Sequence, residues 1–348
     1  MAGSPGATYH PRVTESSPPV AVEAPSIERI QRAWQNFAGG VRQTPAWRWR
    51  GHRIDRLGPD GAEIQLKLEL LQHTGTFKPR GVLTVMRELS AEQRGKGVVA
   101  VSAGNHGMAV AYGARTFDTV ATVAMPKTAN PARVAACRAM GAEVVLTDTI
   151  ADAFAAAEQL ERDGLTFVHP FEGPLTALGN ATLGLEFLRQ VGNLDFVLVA
   201  IGGGGLAAGV AAAVKQLQPR CRVIGVEPEG ADSMHRSFAA NAPQQIDRVT
   251  TIADSLGSPR AMPYSFGLCR RYVDEVMLVS DDEICRAMAL LFADAKLAVE
   301  PAGAATTAAL LQCREELAGK KVGVIVCGSN VDPETFAGCL QRGRDGVI

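Results

Sequence analysis

The chain has 348 residues, enough for one large or two ordinary domains with ample core. Apolar residues make up 47% and charged residues 20%, the formal net charge is −1, and the basic residues are scattered; this describes an ordinary soluble protein and gives no footprint for nucleic acid. No apolar run reaches membrane-spanning length, and the seven widely spaced cysteines, with no CxxC pair, support neither a disulfide framework nor a zinc ribbon, so a reducing cytoplasm fits best.

Residues 1 to about 25 are rich in Pro, Ser, Gly and Ala and read as a disordered tail, not a secretory signal. Ser26 suits the N-cap of a helix running to Phe37, which Gly39-Gly40 stops; Thr44-Pro45 then opens an extended segment. An apolar strand ending near Leu71 passes through a polar turn carrying Gly75 into a helix that starts at Pro79, a residue favoured at a first helical position. Lys78 therefore stands at the mouth of that helix. The positive end of the helix dipole favours a neutral amine there, able to attack a carbonyl, although taken alone the local sequence favours a solvated surface lysine, and it is the rest of the chain that changes this.

Alternation follows. Strands at 97–102, 120–125 and 143–146 are separated by helices at 108–116 and 131–140, and a helix at 150–163 comes next. In the second half, helix 180–190 precedes strand 196–201, helix 206–216 and strand 222–226, which ends at Glu227. Residues 229–265 read as irregular, followed by strand 275–279, a helix at 281–295 with an acidic first turn, helix 302–317 and strand 321–327. This order predicts an α/β fold with mostly parallel sheets, in which the loops past the strand C-termini hold the ligand.

Four consecutive glycines, Gly202, Gly203, Gly204 and Gly205, occupy one such loop. Glycine weakens both helix and strand, so the run points to backbone N–H groups approaching an anion. Gly203-x-Gly205-x-x-Ala208 also fits a dinucleotide fingerprint, with Glu227 as the ribose-binding acid, but it comes after at least three βα units instead of opening the fold. No Lys-Ser/Thr follows, which excludes a P-loop. Ser102-Ala103-Gly104-Asn105-His106-Gly107 reads either as a plain helix start or as a nest of donors for a carboxylate, with Asn105 adding its amide. There is no HExxH, no His pair on one helix face and no GxSxG elbow.

Taken together, Thr74-Gly75-Thr76-Phe77-Lys78, Ser102–Gly107, Gly202–Gly205-Leu206, Val299-Glu300-Pro301-Ala302-Gly303 and Cys327-Gly328-Ser329-Asn330 resemble, in order and approximate spacing, the pyridoxal-phosphate enzymes of fold type II (tryptophan-synthase-β-like). The similar branch is that of serine/threonine dehydratases and serine racemases, and the resemblance covers roughly residues 25 to 340. It implies two open parallel-sheet α/β domains with the active site in the cleft between them: a large cofactor-binding domain of 26–96 plus 173–348, and a small domain of 97–172. It implies a homodimer too, and no C-terminal regulatory domain.

The resemblance also assigns roles. Lys78 would hold pyridoxal 5'-phosphate as a Schiff base and, once freed, take the substrate Cα proton. Phe77 would lie against the ring and Asn105 would bond its phenolic oxygen. Gly202 to Gly205, with Leu206, would hold the phosphate, and Glu300 would wall the pocket. Cys327 or Ser329 would stand beside the pyridine nitrogen. Ser102, Ala103, Gly104, Asn105 and His106 would bind the substrate carboxylate. The implied reaction is β-elimination from L-threonine or L-serine to a 2-oxo acid and ammonia. The alternatives are a lyase or racemase for another β-substituted amino acid, such as a β-aryl serine.

Two departures matter. Ala103 stands where racemases of this family carry a second serine, which favours dehydration. A divalent cation, magnesium or calcium, would use Glu227, Ala231 and Ser233, but Ser233 replaces the family's aspartate. The β-substituent pocket is expected from 171–176 and 262–266, with Pro263, Tyr264 and Phe266 as walls. From other classes, an NAD(P)-dependent oxidoreductase and a catalytically silent small-molecule sensor remain as alternatives; neither needs a lysine at position 78.

Overall fold

The computed structural model describes residues 22–37 and 39–347. Ten strands form two sheets. The larger combines β1 (Ala46–Trp49), β2 (Glu63–Leu68), β7 (Phe196–Ala200), β8 (Arg222–Pro228), β9 (Glu275–Val279) and β10 (Lys321–Val326) in the order β1-β2-β10-β7-β8-β9. The smaller combines β3 (Val98–Val101), β4 (Ala121–Pro126), β5 (Glu143–Thr147) and β6 (Thr166–Phe167) in the order β5-β4-β3-β6. Every pairing is parallel except that of the edge strand β1 with β2. Central strands such as β7, Phe-Val-Leu-Val-Ala, are buried on both faces, as expected of a parallel sheet covered by helices.

The helices start where side chains can satisfy free N–H groups. Ser26 caps Ile27–Gln35, and Ser90, Thr149 and Ser280 form capping boxes with Gln93, Asp152 and Glu283. Helix Pro79–Arg87 joins the two layers. Its Val82 and Met86 enter the core of the smaller sheet, where a Cβ on Gly113 would come within 2.6 Å of Met86 Sδ. Its opposite face meets helix Pro174–Val191.

Several sequence expectations need correction. Strand β2 stops at Leu68, and Glu69–Leu71 form a single 3₁₀ turn. The helix expected from residue 108 begins at Asn105, and the one expected from residue 180 begins at Pro174. The stretch read as irregular contains helix Ser233–Ala240 and the start of helix Pro263–Tyr272. The helix expected over 281–295 ends at Leu290 and opens into a π turn, Leu291–Ala295. There Asp294 accepts bonds from Trp49 Nε1, Arg53 N and Ile54 N, a pull from another element that periodicity does not record. Helix Pro333–Gly343 was not anticipated.

Of the expected tail, residues 1–21 lie outside the described residues. Residues 22–25 are docked: Val22 packs on Gly267, Glu23 O accepts from the Tyr264 hydroxyl, and Pro25 O accepts from Gln216. Among the described residues no helix is long and apolar enough to cross a membrane.

Candidate active site

Lys78 is the N-cap of helix Pro79–Arg87, as the sequence suggested, and Pro79 occupies the first helical position. The turn before it needs glycine at position 75, where φ is +73° and an added Cβ would lie 2.6 Å from Asn330 Oδ1. Three loops are sewn together here. Thr76 bridges Gly328, Phe77 N donates to Cys327 O at 3.1 Å, and Ser329 N donates to Gly75 O at 3.0 Å. Glu300 N donates to Gly328 O at 3.2 Å. The motifs at 74–78, 299–303 and 327–330 thus meet at the C-terminal ends of β2 and β10.

The half-buried Lys78 donates from Nζ to Pro170 O at 2.7 Å, and the amine lies 5.4 Å from the centre of the Phe77 ring. Burial pushes its pKa down to about 8, against the pull of Cys327 and Glu300. A lysine with this pKa is part neutral at physiological pH and can act as nucleophile or base. The expectation of a neutral-leaning amine rests here on burial first.

Asn105 opens helix Asn105–Thr116, and its amide donates to both oxygens of Glu300, at 2.8 and 3.1 Å, and to Ser255 Oγ at 3.1 Å. Asn330 donates to Asn105 Oδ1 at 2.8 Å. Burial raises the Glu300 carboxyl to about 7, although the Asn105 bond opposes it. No side chain caps this helix, and among the described residues the N–H groups of Asn105 and His106 meet no protein acceptor. Ser102 Oγ accepts from Gly104 N, which holds the turn, with Ala103 partly buried beside it. His106 bonds Val168 O through Nε2, and burial, aided by Lys78, lowers its pKa to about 3. His106 is therefore neutral and serves packing of the loop after β6.

The glycine run fills a space that no Cβ could share. One on Gly203 would collide with the Phe171 ring at 2.2 Å, one on Gly205 would meet Phe171 O at 2.3 Å, and Gly204 has φ +93°. Gly203 to Gly205 and Leu206 are buried. Among the described residues their N–H groups have no protein acceptor at the start of helix Gly205–Leu217. Buried donors without partners are costly unless an anion takes them, so the loop fits a phosphate group. Phe171 follows Pro170, whose carbonyl holds Lys78, so the lysine and the glycine loop adjoin the same two residues.

The remaining expected residues make other contacts. Ser329 turns its hydroxyl to the carbonyls of Leu70 and Gly75, both at 3.3 Å, while the buried Cys327 thiol faces Ala302 O at 3.5 Å and is raised above its ordinary pKa by burial. Glu227 accepts from Met234 N at 2.9 Å and His235 N at 2.7 Å, so it caps helix Ser233–Ala240 and is buried there instead of lying open to a ribose hydroxyl. Its pKa is pushed up to about 8 by burial. Ser233 Oγ nearby has no partner, and among the described residues no three His, Cys, Asp or Glu side chains are grouped to hold a metal. Of the aromatic walls expected for the pocket, Tyr264 bonds Glu23 O and Phe266 stands edge-on to Phe238 at 6.3 Å; only Phe171 adjoins the glycine loop.

Sequence reasoning missed a buried ionic network directly behind the lysine. Arg80 donates to both oxygens of Glu69 at 2.8 Å and to Glu186 at 2.9 and 3.2 Å. Lys67 donates to Glu186 at 2.5 Å, Thr44 O at 2.6 Å and Gln190 at 2.8 Å. All four charged residues are at most 1% exposed. The alternating charges of Lys67 and Glu69 inside an apolar run were the available signal.

The family model described as "Pyridoxal-phosphate dependent enzyme" matches residues 37–328. The chain is 52% identical over 321 residues to phenylserine dehydratase of Ralstonia pickettii, spanning 92% of this chain and 97% of that one. It is 39% identical over 285 residues to L-threonine ammonia-lyase of Thermotoga maritima, covering 81% and 71% respectively. Its fold is similar to that of maize serine racemase, with a TM-score of 0.85 and 32% identity over 93% of this chain and 99% of the other.

Proposed function

This chain belongs to the pyridoxal-phosphate dependent enzymes, and from that premise we propose that it is an ammonia-lyase for a β-hydroxy amino acid with an aromatic β-substituent, of the 3-phenylserine type. The observation that carries this reading is the 52% identity to a phenylserine dehydratase along nearly the whole of both chains. L-threonine and L-serine, the substrates first expected, become the comparison substrates. Ala103 supports elimination over racemisation because it has no group to exchange a proton. In this reading residues 26–96 and 173–348 form one domain, residues 97–172 the other, and the enzyme is a homodimer, which sedimentation would test.

The chemistry follows from the groups present. Lys78 would bear the cofactor, the N–H groups of Gly202 to Leu206 would take its phosphate, and Phe77, Asn105 and Glu300 would border the same pocket. We place Cys327 beside the ring nitrogen, since the Ser329 hydroxyl is engaged by Leu70 and Gly75. Pyridoxal phosphate, when bound, supplies the electron sink that makes the substrate Cα proton removable. The turn Ser102–His106 orients the substrate carboxylate through its free N–H groups. The Lys78 amine, with its lowered pKa, takes the Cα proton. The β-hydroxyl leaves as water, the proton lost from Cα balancing the one it gains; the released enamine tautomerises to the imine, which water hydrolyses to the 2-oxo acid and ammonia. A cation held by Glu227, Ala231 and Ser233 would have no part in these steps, none of which draws on those residues.

The test is release of 2-oxo acid and ammonia from 3-phenylserine, L-threonine and L-serine under identical conditions. The reading expects kcat/KM for phenylserine to exceed that for the other two by at least about tenfold, the scale of one well-filled apolar contact. Equal or reversed preference would return the protein to the threonine/serine class.

A further inference from the structure

Arg133 belongs to none of the five motifs. It lies on helix Pro131–Ala139, which covers the smaller sheet. Its Nη1 donates to Asp254 Oδ2 at 2.5 Å and its Nη2 to Asn330 O at 3.3 Å. A Cβ added to Gly104 would stand 3.6 Å from Nη1, so the guanidinium rests on the turn that opens the Asn105 helix. Among the described residues this is the one ion pair that joins residues 97–172 to the rest of the chain.

Asp254 carries the tie onward. Ser255 Oγ donates to Asp254 Oδ1 at 3.3 Å and accepts from Asn105 Nδ2 at 3.1 Å. In the same 3₁₀ turn, Asp254–Leu256, Leu256 packs on Gly202, where an added Cβ would be 3.1 Å from its Cα. Asn330, gripped by Arg133 through its carbonyl, donates its amide to Asn105. One guanidinium thereby gathers the carboxylate turn, the glycine loop and the last strand's loop over Lys78.

We infer that the Arg133–Asp254 pair is a latch that sets the Ser102–His106 turn against the rest of the site; Arg133 is a positioning residue, an inference that rests on the lyase reading above. The side chains are 21% and 55% exposed. A pair this wet contributes little to global stability and opens readily, which suits a contact that must part for substrate to enter.

The experiment is a double-mutant cycle on the holoenzyme with Arg133→Ala, Asp254→Ala and the double variant, read by steady-state kinetics and by amide hydrogen exchange without substrate. The latch predicts that each single variant lowers kcat/KM about tenfold, mainly through KM, and that the double variant is no worse than either. It predicts faster exchange at Ser102 and Gly104, the hydrogen-bonded amides of the turn, in both single variants, with Tm within about 2 °C of wild type. A loss in Arg133→Ala far greater than in Asp254→Ala, additive in the double variant, would instead make Arg133 a direct substrate contact and overturn the latch. Unchanged exchange in both single variants would also overturn it. Because exchange is read without substrate, a failure of the lyase reading shows separately, as absence of 2-oxo acid from every substrate.

Discussion

Two groups of buried titratable residues lie back to back across the sequence Lys78-Pro79-Arg80, and they are built on opposite rules. Behind the helix start, Lys67, Arg80, Glu69 and Glu186 form two cations and two anions with nearly every polar atom engaged. Burial works against the Arg80 charge, but Glu69 and Glu186 outweigh it and hold its pKa above the ordinary value. Burial likewise opposes ionisation of Glu186, and Arg80 and Lys67 overcome it; for Lys67, by contrast, burial outweighs the pull of its partners and lowers the pKa. In front, the half-buried Lys78 and the buried Glu300 have no matching ion pair among the described residues, and their pKa values move to about 8 and about 7, toward their neutral forms. A complete network fixes geometry; an incomplete one keeps groups ready to exchange protons.

Breaking the rear group should cost the most stability. Arg80→Met removes one cation and leaves two buried carboxylates facing one lysine, so urea unfolding should show a loss of about 3–5 kcal/mol. A loss below about 1 kcal/mol would mean that the network is not structural. Breaking the front group should do the reverse. Lys78→Ala should lower kcat by at least about 10²–10⁴-fold, while its unfolding midpoint should match that of wild type stripped of cofactor, because no ion pair is lost.

Smaller effects sharpen the contrast. Glu300 binds its proton more tightly when folded than when unfolded, so its contribution to stability is full below the ordinary carboxylate range and is lost as pH rises to about 7. The Tm of Glu300→Gln should therefore gain on that of wild type between about pH 4.5 and 7 and hold a constant difference above. A difference flat across this range would show that the front carboxyl is ionised throughout. Smallest of all, millimolar magnesium or calcium should move Tm by less than about 1 °C, because the position offers one buried carboxylate and, at Ser233, a neutral hydroxyl.

The sequence carried much of the front group and little of the rear. Lys78, the glycine run and the Asn105 turn are each a strand, a short loop and a helix start, and such local grammar survives in linear order. Cys327, Glu300 and Asn105 could be grouped only through resemblance, because the bond from Asn105 to Glu300 spans 195 residues. The Arg80–Glu186 and Arg133–Asp254 contacts span 106 and 121 residues and leave no periodic mark. Glu227 misled as a ribose ligand for the same reason: its place at a strand end suits that role, but the N–H groups it caps belong to a helix that the sequence, read as irregular there, did not reveal.

The central claim is that Lys78 is the cofactor-bearing residue of this family's chemistry. The most direct measurement is the visible spectrum of the purified protein before and after borohydride, followed by peptide mapping and comparison with Lys78→Ala. The account predicts a yellow protein whose band is lost on reduction, a reduced pyridoxyl group on the peptide containing Lys78, and neither in the variant. A protein that stays colourless with added pyridoxal phosphate, or one labelled at a different lysine, would contradict it.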